Sequence, residues 1–397
     1  MRRVAYISAD PGVPAFGVKG CSVHVQEGLR ALRAHGMDVT LFSARLGGEP
    51  PDDLANLPII SLPCPSGATS AERERAALDA NGILREQIEQ QGPFDLIYER
   101  YSLWSFAAME YAGEHGVASV LEVNAPLIDE QAKHRTLVNP DEARSASRRA
   151  FDAAEVLLAV SNGVADWLNG FSEAQGRIHV VSNGVDTMRF RPELDPVWHA
   201  PTNAFVIGFV GSLKPWHGLS VLVKAFAQVH RAVPETCLLI VGAGPEQAHI
   251  EADLDRLGIR AAAHLTGAVT PAEVPRWLAS MDVAVAPYAD PTATYFSPLK
   301  VFEYMASGLP IVAGRIGQVS EILTHDVTGL LVEPGDVDAV AEALLRLYAA
   351  PPLRARLGVA ARSAARAHHS WNTVFGRVLA LAGCDKASAR RSTEALA

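Results

Sequence analysis

Short apolar runs, each about the length of a buried strand, alternate with amphipathic stretches along most of the chain. The alternation halts once and then restarts. Strands buried on both faces read as such runs, and a parallel sheet with crossover helices is the architecture that produces them. In the first half the expected strands are Val4–Ile7, Val39–Ser43, Leu96–Tyr98, Ser119–Glu122, Val156–Val160 and His179–Val181. Between the first two, Val25, Leu29 and Leu32 repeat at helical spacing within Ser22–His35, and Gly36 is placed to end that helix. Pro50–Pro65 is proline-rich and reads as a loop. The halt comes at Phe190–Asn203, where Pro192, Pro196 and Pro201 stand among polar residues without periodicity, as in a hinge or linker. Strands resume at Phe205–Val210, Cys237–Val241, His264–Thr266, Val283–Pro287, Ile311–Ala313 and Leu330–Val332. Helices are expected at Leu219–Arg231, Glu246–Leu257, Pro298–Ser307 and Val337–Tyr348, and a frayed tail at Gly383–Ala397. At 397 residues the chain exceeds what one core usually serves. The expected fold is α/β, with parallel-sheet domains at 1–190 and 204–370 facing a central cleft. Ligands are expected at the carboxyl ends of the strands.

Composition removes several classes of function. Acidic residues exceed basic ones by 44 to 35, a net charge of −9, which argues against general nucleic-acid affinity. No apolar run approaches the ~18 residues of a membrane span. Val4–Ile7 is cut off by Ser8, Asp10 and Pro11, short of the ~7 apolar residues a secretory leader needs. Cys21, Cys64, Cys237 and Cys384 are scattered without metal-ligand spacing, so a reducing, cytoplasmic setting is expected. Asp253 and Asp255 fall inside an expected helix, and no Asp-x-Asp ends a strand. Neither a metal site nor a permanently bound cofactor is expected.

The most informative stretch is Phe296-Ser-Pro-Leu-Lys-Val-Phe-Glu-Tyr-Met-Ala306. Ser297 is a good N-cap residue and Pro298 suits the first helical position. The start of such a helix aims backbone amides, including those of Leu299 and Lys300, along a positive dipole end. A diphosphate fits there beside the Lys300 ammonium. Glu303, about one and a half turns in, is placed to accept from a pair of vicinal sugar hydroxyls. The alternative is an ordinary capped helix whose Ser297 hydroxyl already occupies the amides.

Ser-Pro-Leu-Lys-x-Phe-Glu-Tyr-Met-Ala-x-Gly-x-Pro resembles the donor-binding half of the retaining family-4 glycosyltransferases. So do the Gly317–Glu321, Gly329–Val332 and Pro334–Asp336 segments that follow it. The likeness extends to Gly20–His24, Ser182–Asp186, Gly208–Leu213, Val241–Pro245 and Leu265–Val269. It implies the GT-B fold, two Rossmann-like domains, the first binding acceptor and the second nucleotide sugar. It also implies a terminal helix at 371–384, anchored by Trp371, that packs back on the first domain. By resemblance Glu303 holds the ribose, and Ser297, Pro298 and Leu299 meet the diphosphate and sugar. Val269 meets the base, Gly242 and Gly244 lie near the nucleotide, and Gly20 closes over the phosphate.

Several positions depart from the pattern. The earlier of the two usual glutamates is Tyr295 here, and the usual phosphate-binding Arg and Lys fall near Ser212 and His217. Lys214 either supplies the missing charge or is a solvent-facing lysine. Where many members carry a histidine, this chain has Asn124, with Glu122 on the same strand face. These two either orient sugar hydroxyls or form a satisfied strand end. Arg100 either balances phosphate or pairs with Glu99 or Glu122. His24 either touches a substrate or is packed. Basic residues within 133–149 leave room for weak peripheral membrane contact, although Asp141 and Glu142 interrupt them. The expected reaction is metal-independent sugar transfer with retention, the departing phosphate taking the acceptor's proton. The expected co-substrate is a UDP-sugar, with a GDP-sugar as the alternative. The acceptor is a hydroxyl of a small molecule, glycan or lipid-linked glycan. An epimerase or hydrolase of the same fold, or a non-catalytic sugar-nucleotide binder, are the competing readings.

Overall fold

The computed structural model describes residues 1–290, 295 and 297–385, so Phe296 of the motif and residues 386–397 of the tail lie outside the described residues. The chain divides into two units, one comprising Met1–Asn183 with the segment from Trp371 onward, the other Gly184–Ser370.

The first unit carries β1 (Arg3–Ser8), β2 (Asp38–Ser43), β3 (Ile59–Ser61), β4 (Leu96–Arg100), β5 (Ala118–Val123), β6 (Val156–Ala159) and β7 (Ile178–Val180). They lie in the order β3-β2-β1-β4-β5-β6-β7, and every pairing is parallel. The strand order reverses between β1 and β4, where open α/β sheets hold ligands. Across that pair Tyr6 stacks on Tyr98 at 5.0 Å. Gly28 of the Gly20–Ala34 helix leaves room there for the Tyr6 and Phe375 rings, 3.0–3.2 Å from where a Cβ would stand. The Trp371–Leu381 helix, which brings Phe375, packs on the Gly20–Ala34 helix through this gap. The Pro50–Pro65 stretch is not all loop: β3 pairs with β2, Leu41 opposite Ile59. Its flanking prolines are tolerated because it is an edge strand.

The second unit carries β8 (Phe205–Val210), β9 (Thr236–Val241), β10 (Ala263–Leu265), β11 (Val283–Ala286), β12 (Ile311–Gly314) and β13 (Leu330–Val332). Its order is β10-β9-β8-β11-β12-β13, also parallel, with the reversal between β8 and β11. The Leu219–Ala232 and Val337–Ala349 helices bury Leu222, Phe226, Leu344 and Leu347 on one face. On the other, the Leu299–Ala306 helix buries Val301, Phe302 and Met305. The proline-rich segment is not a free linker. Phe190 is 2% exposed in this second core, Trp198 packs against it, and the Trp198 indole stacks on His264 at 5.0 Å. Apolar side chains spaced between the prolines bind the segment to the Gly184–Ser370 unit. Among the described residues, no helix is long and apolar enough to cross a membrane.

Candidate active site

Three loops meet at the carboxyl edge of β8 and β9. The Gly211 N–H donates to the Val241 carbonyl at 3.0 Å, and the Leu213 N–H to Ala243 at 3.1 Å. The Glu246 N–H returns to the Leu213 carbonyl at 3.1 Å, and the Gly242 N–H reaches Gly267 at 3.0 Å. Backbones this close require glycine. Gly242 sits at φ +135°, and a Cβ there would strike the Gly211 carbonyl oxygen. At Gly244 a Cβ would stand 2.5 Å from the Leu213 oxygen. Val269, half-buried, follows in the third loop.

The Leu299–Ala306 helix is pinned to this edge by Tyr304, whose hydroxyl accepts from the Val210 N–H at 2.8 Å. The helix begins one residue later than expected. Pro298, at ψ 88°, is its N-cap residue rather than its first helical residue, and Ser297 is not the cap. Proline has no polar side-chain atom to offer, so this N-cap residue supplies no side-chain hydrogen bond to the first turn. Tyr295 and Ser297 precede it, both half-buried.

Lys300 is the unusual group. Its Nζ is enclosed without a hydrogen-bond partner among the described residues, although the residue as a whole keeps some exposure. The ammonium lies 4.2 Å from the Phe209 ring centroid and 5.6 Å from that of Tyr288. It abuts Gly211, where a Cβ would come within 2.8 Å of it. Burial pulls its pKa down to about 7, against the opposing pull of Glu303 one turn on. Glu303 is half-buried on the same helix face. His217 closes the other side: Nδ1 lies 2.5 Å from the Ser212 carbonyl, and its ring faces Phe209 and Tyr288. Burial, then the Lys300 charge, push its pKa down to about 3. Lys214 is half-buried with Nζ 5.6 Å from the Trp216 ring. Sequence reasoning assigned no role to Phe209 or Tyr288. Tyr288 follows β11 in Ala286-Pro-Tyr288 and sits at φ +26°, a strained value for a non-glycine residue. An aromatic residue just past a strand's carboxyl end was the available signal.

The corresponding edge of the first unit holds a different cluster. Glu122 Oε1 lies 2.9 Å from His24 Nε2, and Oε2 accepts from Asn124 Nδ2 at 3.1 Å. Burial alone would raise the Glu122 pKa. The His24 ring, Arg100 and Asn124 together hold it below the usual carboxylate range. His24, expected as an acceptor contact, is enclosed: its side chain is 3% exposed and meets the Trp371 ring edge-on at 5.1 Å. Glu122, at 8%, is enclosed as well, whereas Asn124 and Arg100 are half-buried. Strand alternation puts Glu99 on the opposite sheet face, so Arg100 faces Glu122, its register partner on β5. Gly20 is exposed and opens the Gly20–Ala34 helix. Among the described residues, no three His, Cys, Asp or Glu side chains are gathered to hold a metal ion.

The fold is similar over its full length to a sucrose-phosphate synthase from Thermosynechococcus elongatus. The TM-score is 0.73 at 20% identity, covering 100% of both chains. It is also similar to HepE of Anabaena in complex with UDP and glucose (TM-score 0.70, 18% identity, 96% of this chain and 99% of the other). Residues 18–189 match the family model described as Glycosyltransferase Family 4, and residues 204–350 the one described as Glycosyl transferases group 1. The chain is a GT-B glycosyltransferase of the family-4 kind. The glycosyltransferase is 31% identical over 251 residues to a GDP-mannose-dependent alpha-(1-6)-phosphatidylinositol monomannoside mannosyltransferase of Mycolicibacterium smegmatis. That match covers 60% of this chain and 65% of the relative, just under two thirds of its length. It is 29% identical over 395 residues to D-inositol 3-phosphate glycosyltransferase 2 of Catenulispora acidiphila, covering 90% and 89%.

Proposed function

We propose that the glycosyltransferase moves a sugar from a nucleoside diphosphate sugar to an acceptor hydroxyl, with retention and without a metal ion. The observation that carries this reading is Lys300, an enclosed ammonium without a hydrogen-bond partner among the described residues, at the start of a helix whose N-cap residue supplies no side-chain hydrogen bond. A buried unpaired charge is costly, and a diphosphate would relieve it together with the amides of Leu299 and Lys300. As the bond to the sugar breaks, charge grows on the leaving phosphate, where Lys300, Lys214 and the helix dipole stabilise it. The departing oxygen takes the acceptor's proton, so the scheme needs no dedicated protein base. Glu303, on the Lys300 face of the helix, accepts from the ribose hydroxyls.

On this reading the acceptor-side groups of the first unit are Asn124 and Arg100, oriented through Glu122 and His24. UDP and GDP are the two candidate donors. UDP is supported by the family resemblance and by the HepE complex, GDP by the mannosyltransferase relative. The relatives named for phosphatidylinositol monomannoside and inositol 3-phosphate favour a polyol, glycan or lipid-linked glycan as acceptor. Calorimetry with UDP, GDP and their sugars tests the donor site. Glu303→Ala should lower nucleoside diphosphate affinity by about 10- to 100-fold with the fold intact, the worth of a charged hydrogen bond. Unchanged affinity would remove Glu303 from the site.

A further inference from the structure

Nδ1 of His217 lies 2.5 Å from the Ser212 carbonyl oxygen. A carbonyl only accepts, so Nδ1 carries the proton and Nε2 is a bare acceptor. The ring is held in that sense by Phe209 at 5.8 Å, Tyr288 at 5.9 Å and Trp216 at 6.0 Å between centroids. Among the described residues none donates to Nε2. Lys300 and Lys214 are the charged groups that face the imidazole, and both oppose a second proton on it, as does burial. The family resemblance puts a cation that donates to phosphate oxygens near this position; an unprotonated nitrogen does the reverse and repels them.

A sugar nucleotide's diphosphate carries no proton at neutral pH. With Glu303 assigned to the ribose, the hydrogen-bond donors left beside the diphosphate are the hydroxyls of the sugar. We propose that His217 Nε2 accepts a hydrogen bond from a hydroxyl of the transferred sugar, making it a specificity residue for the sugar rather than a phosphate ligand. The inference rests on the nucleotide-sugar reading above.

The test is calorimetric titration of UDP, GDP, UDP-glucose and GDP-mannose into the wild-type chain and into His217→Phe, His217→Gln and His217→Lys. Phenylalanine keeps the ring packing and removes the acceptor. It should weaken the preferred sugar nucleotide about tenfold and leave the bare nucleotide within about twofold. Glutamine, whose Oε1 reaches the place of Nε2, should recover most of that loss, and lysine should not. Nitrogen-15 spectra should show Nε2 unprotonated at neutral pH both free and bound. Equal losses for nucleotide and sugar nucleotide in His217→Phe, rescue by lysine, or a protonated Nε2 in the complex would each overturn the inference while leaving the donor site standing. Failure of the wild-type chain to bind any of the four would remove the donor site beneath it. The glutamine variant and the spectra decide the matter even if the phenylalanine variant does not fold.

Discussion

The two sheets reverse strand order at equivalent places and put a buried ionisable group at each reversal, yet the surroundings of the two groups are opposite. Glu122 has His24 at 2.9 Å, Asn124 at 3.1 Å and Arg100 as its register neighbour. These outweigh its burial and keep it ionised below the usual range. Lys300 has aromatic rings and a glycine around it and, among the described residues, no hydrogen-bond partner for Nζ, so burial wins and its pKa falls to about 7. The first cluster gives its carboxylate a histidine and an amide from within the chain. The second has Glu303 one turn away, whose pull does not offset burial, and the difference separates a charge held by its neighbours from one that a bound anion would stabilise.

The largest effect should come from breaking the first cluster. Glu122→Ala leaves Arg100 and His24 facing a void, and removing one partner of a buried charged set typically costs about 3–5 kcal/mol. Denaturant unfolding should register that loss, while nucleotide affinity at temperatures where the chain stays folded remains near wild type. A stability change below about 1 kcal/mol would show that the cluster does not hold the first unit together. Lys300→Met is the converse experiment. It should lower kcat/KM by about 10²–10³-fold, the scale of losing one preorganised charge-stabilising group, and it should not lower the melting temperature, because a desolvated ammonium gives way to an apolar side chain of similar length. Parallel losses of activity and stability would erase the contrast between the two clusters.

Much of this arrangement was legible in the chain. Val283–Pro287 and Leu330–Val332 read as buried strands because parallel strands covered on both faces are continuous apolar runs, and strands form at Val283–Ala286 and Leu330–Val332. The segment from Pro298 read as a helix with Lys300 near its start and Glu303 about one and a half turns in because that follows from helical spacing alone. What the chain did not disclose depends on tertiary neighbours. Pro298 could not be separated from a first helical residue until its ψ of 88° was known. β3 is three residues between prolines, and only its partner β2 makes it a strand. Phe190 and Trp198 turn a stretch that reads as linker into part of the second unit. The enclosure of the Lys300 ammonium is a property of Phe209, Tyr288 and Gly211 converging from other loops. No local pattern encodes it.

The same contrast predicts a pH dependence in one cluster only. In the free chain Lys300 loses its proton as pH passes about 7, and a diphosphate binds the protonated form and raises its pKa. Affinity for a sugar nucleotide, whose own diphosphate does not titrate here, should be level below pH 7. Above it, affinity should fall by up to about tenfold per pH unit, with net proton uptake on binding. The sign for stability is opposite. The folded pKa lies below the unfolded value of 10.5, so the unfolded chain binds more protons between about 7 and 10.5, and this group's penalty shrinks as pH rises through that window. Calorimetry in buffers of different ionisation enthalpy measures the uptake, and Lys300→Met should abolish it.

The smallest effect is expected at Lys214, and it sharpens the comparison within the donor site itself. Lys214 shares the β8 loop with His217 but is half-buried, with Nζ 5.6 Å from the exposed Trp216 ring. Water and salt reach it, so its attraction for a diphosphate is screened in a way that of Lys300 is not. Lys214→Met should slow transfer by only about two- to fivefold, an exposed ion pair's worth, and the deficit should shrink as ionic strength rises. The deficit in Lys300→Met should persist in salt, because a group sealed from solvent is sealed from counterions too. If instead the Lys214 deficit matched that of Lys300 and ignored salt, the diphosphate would be gripped by the loop after β8, and the start of the Leu299–Ala306 helix would lose its claim to it.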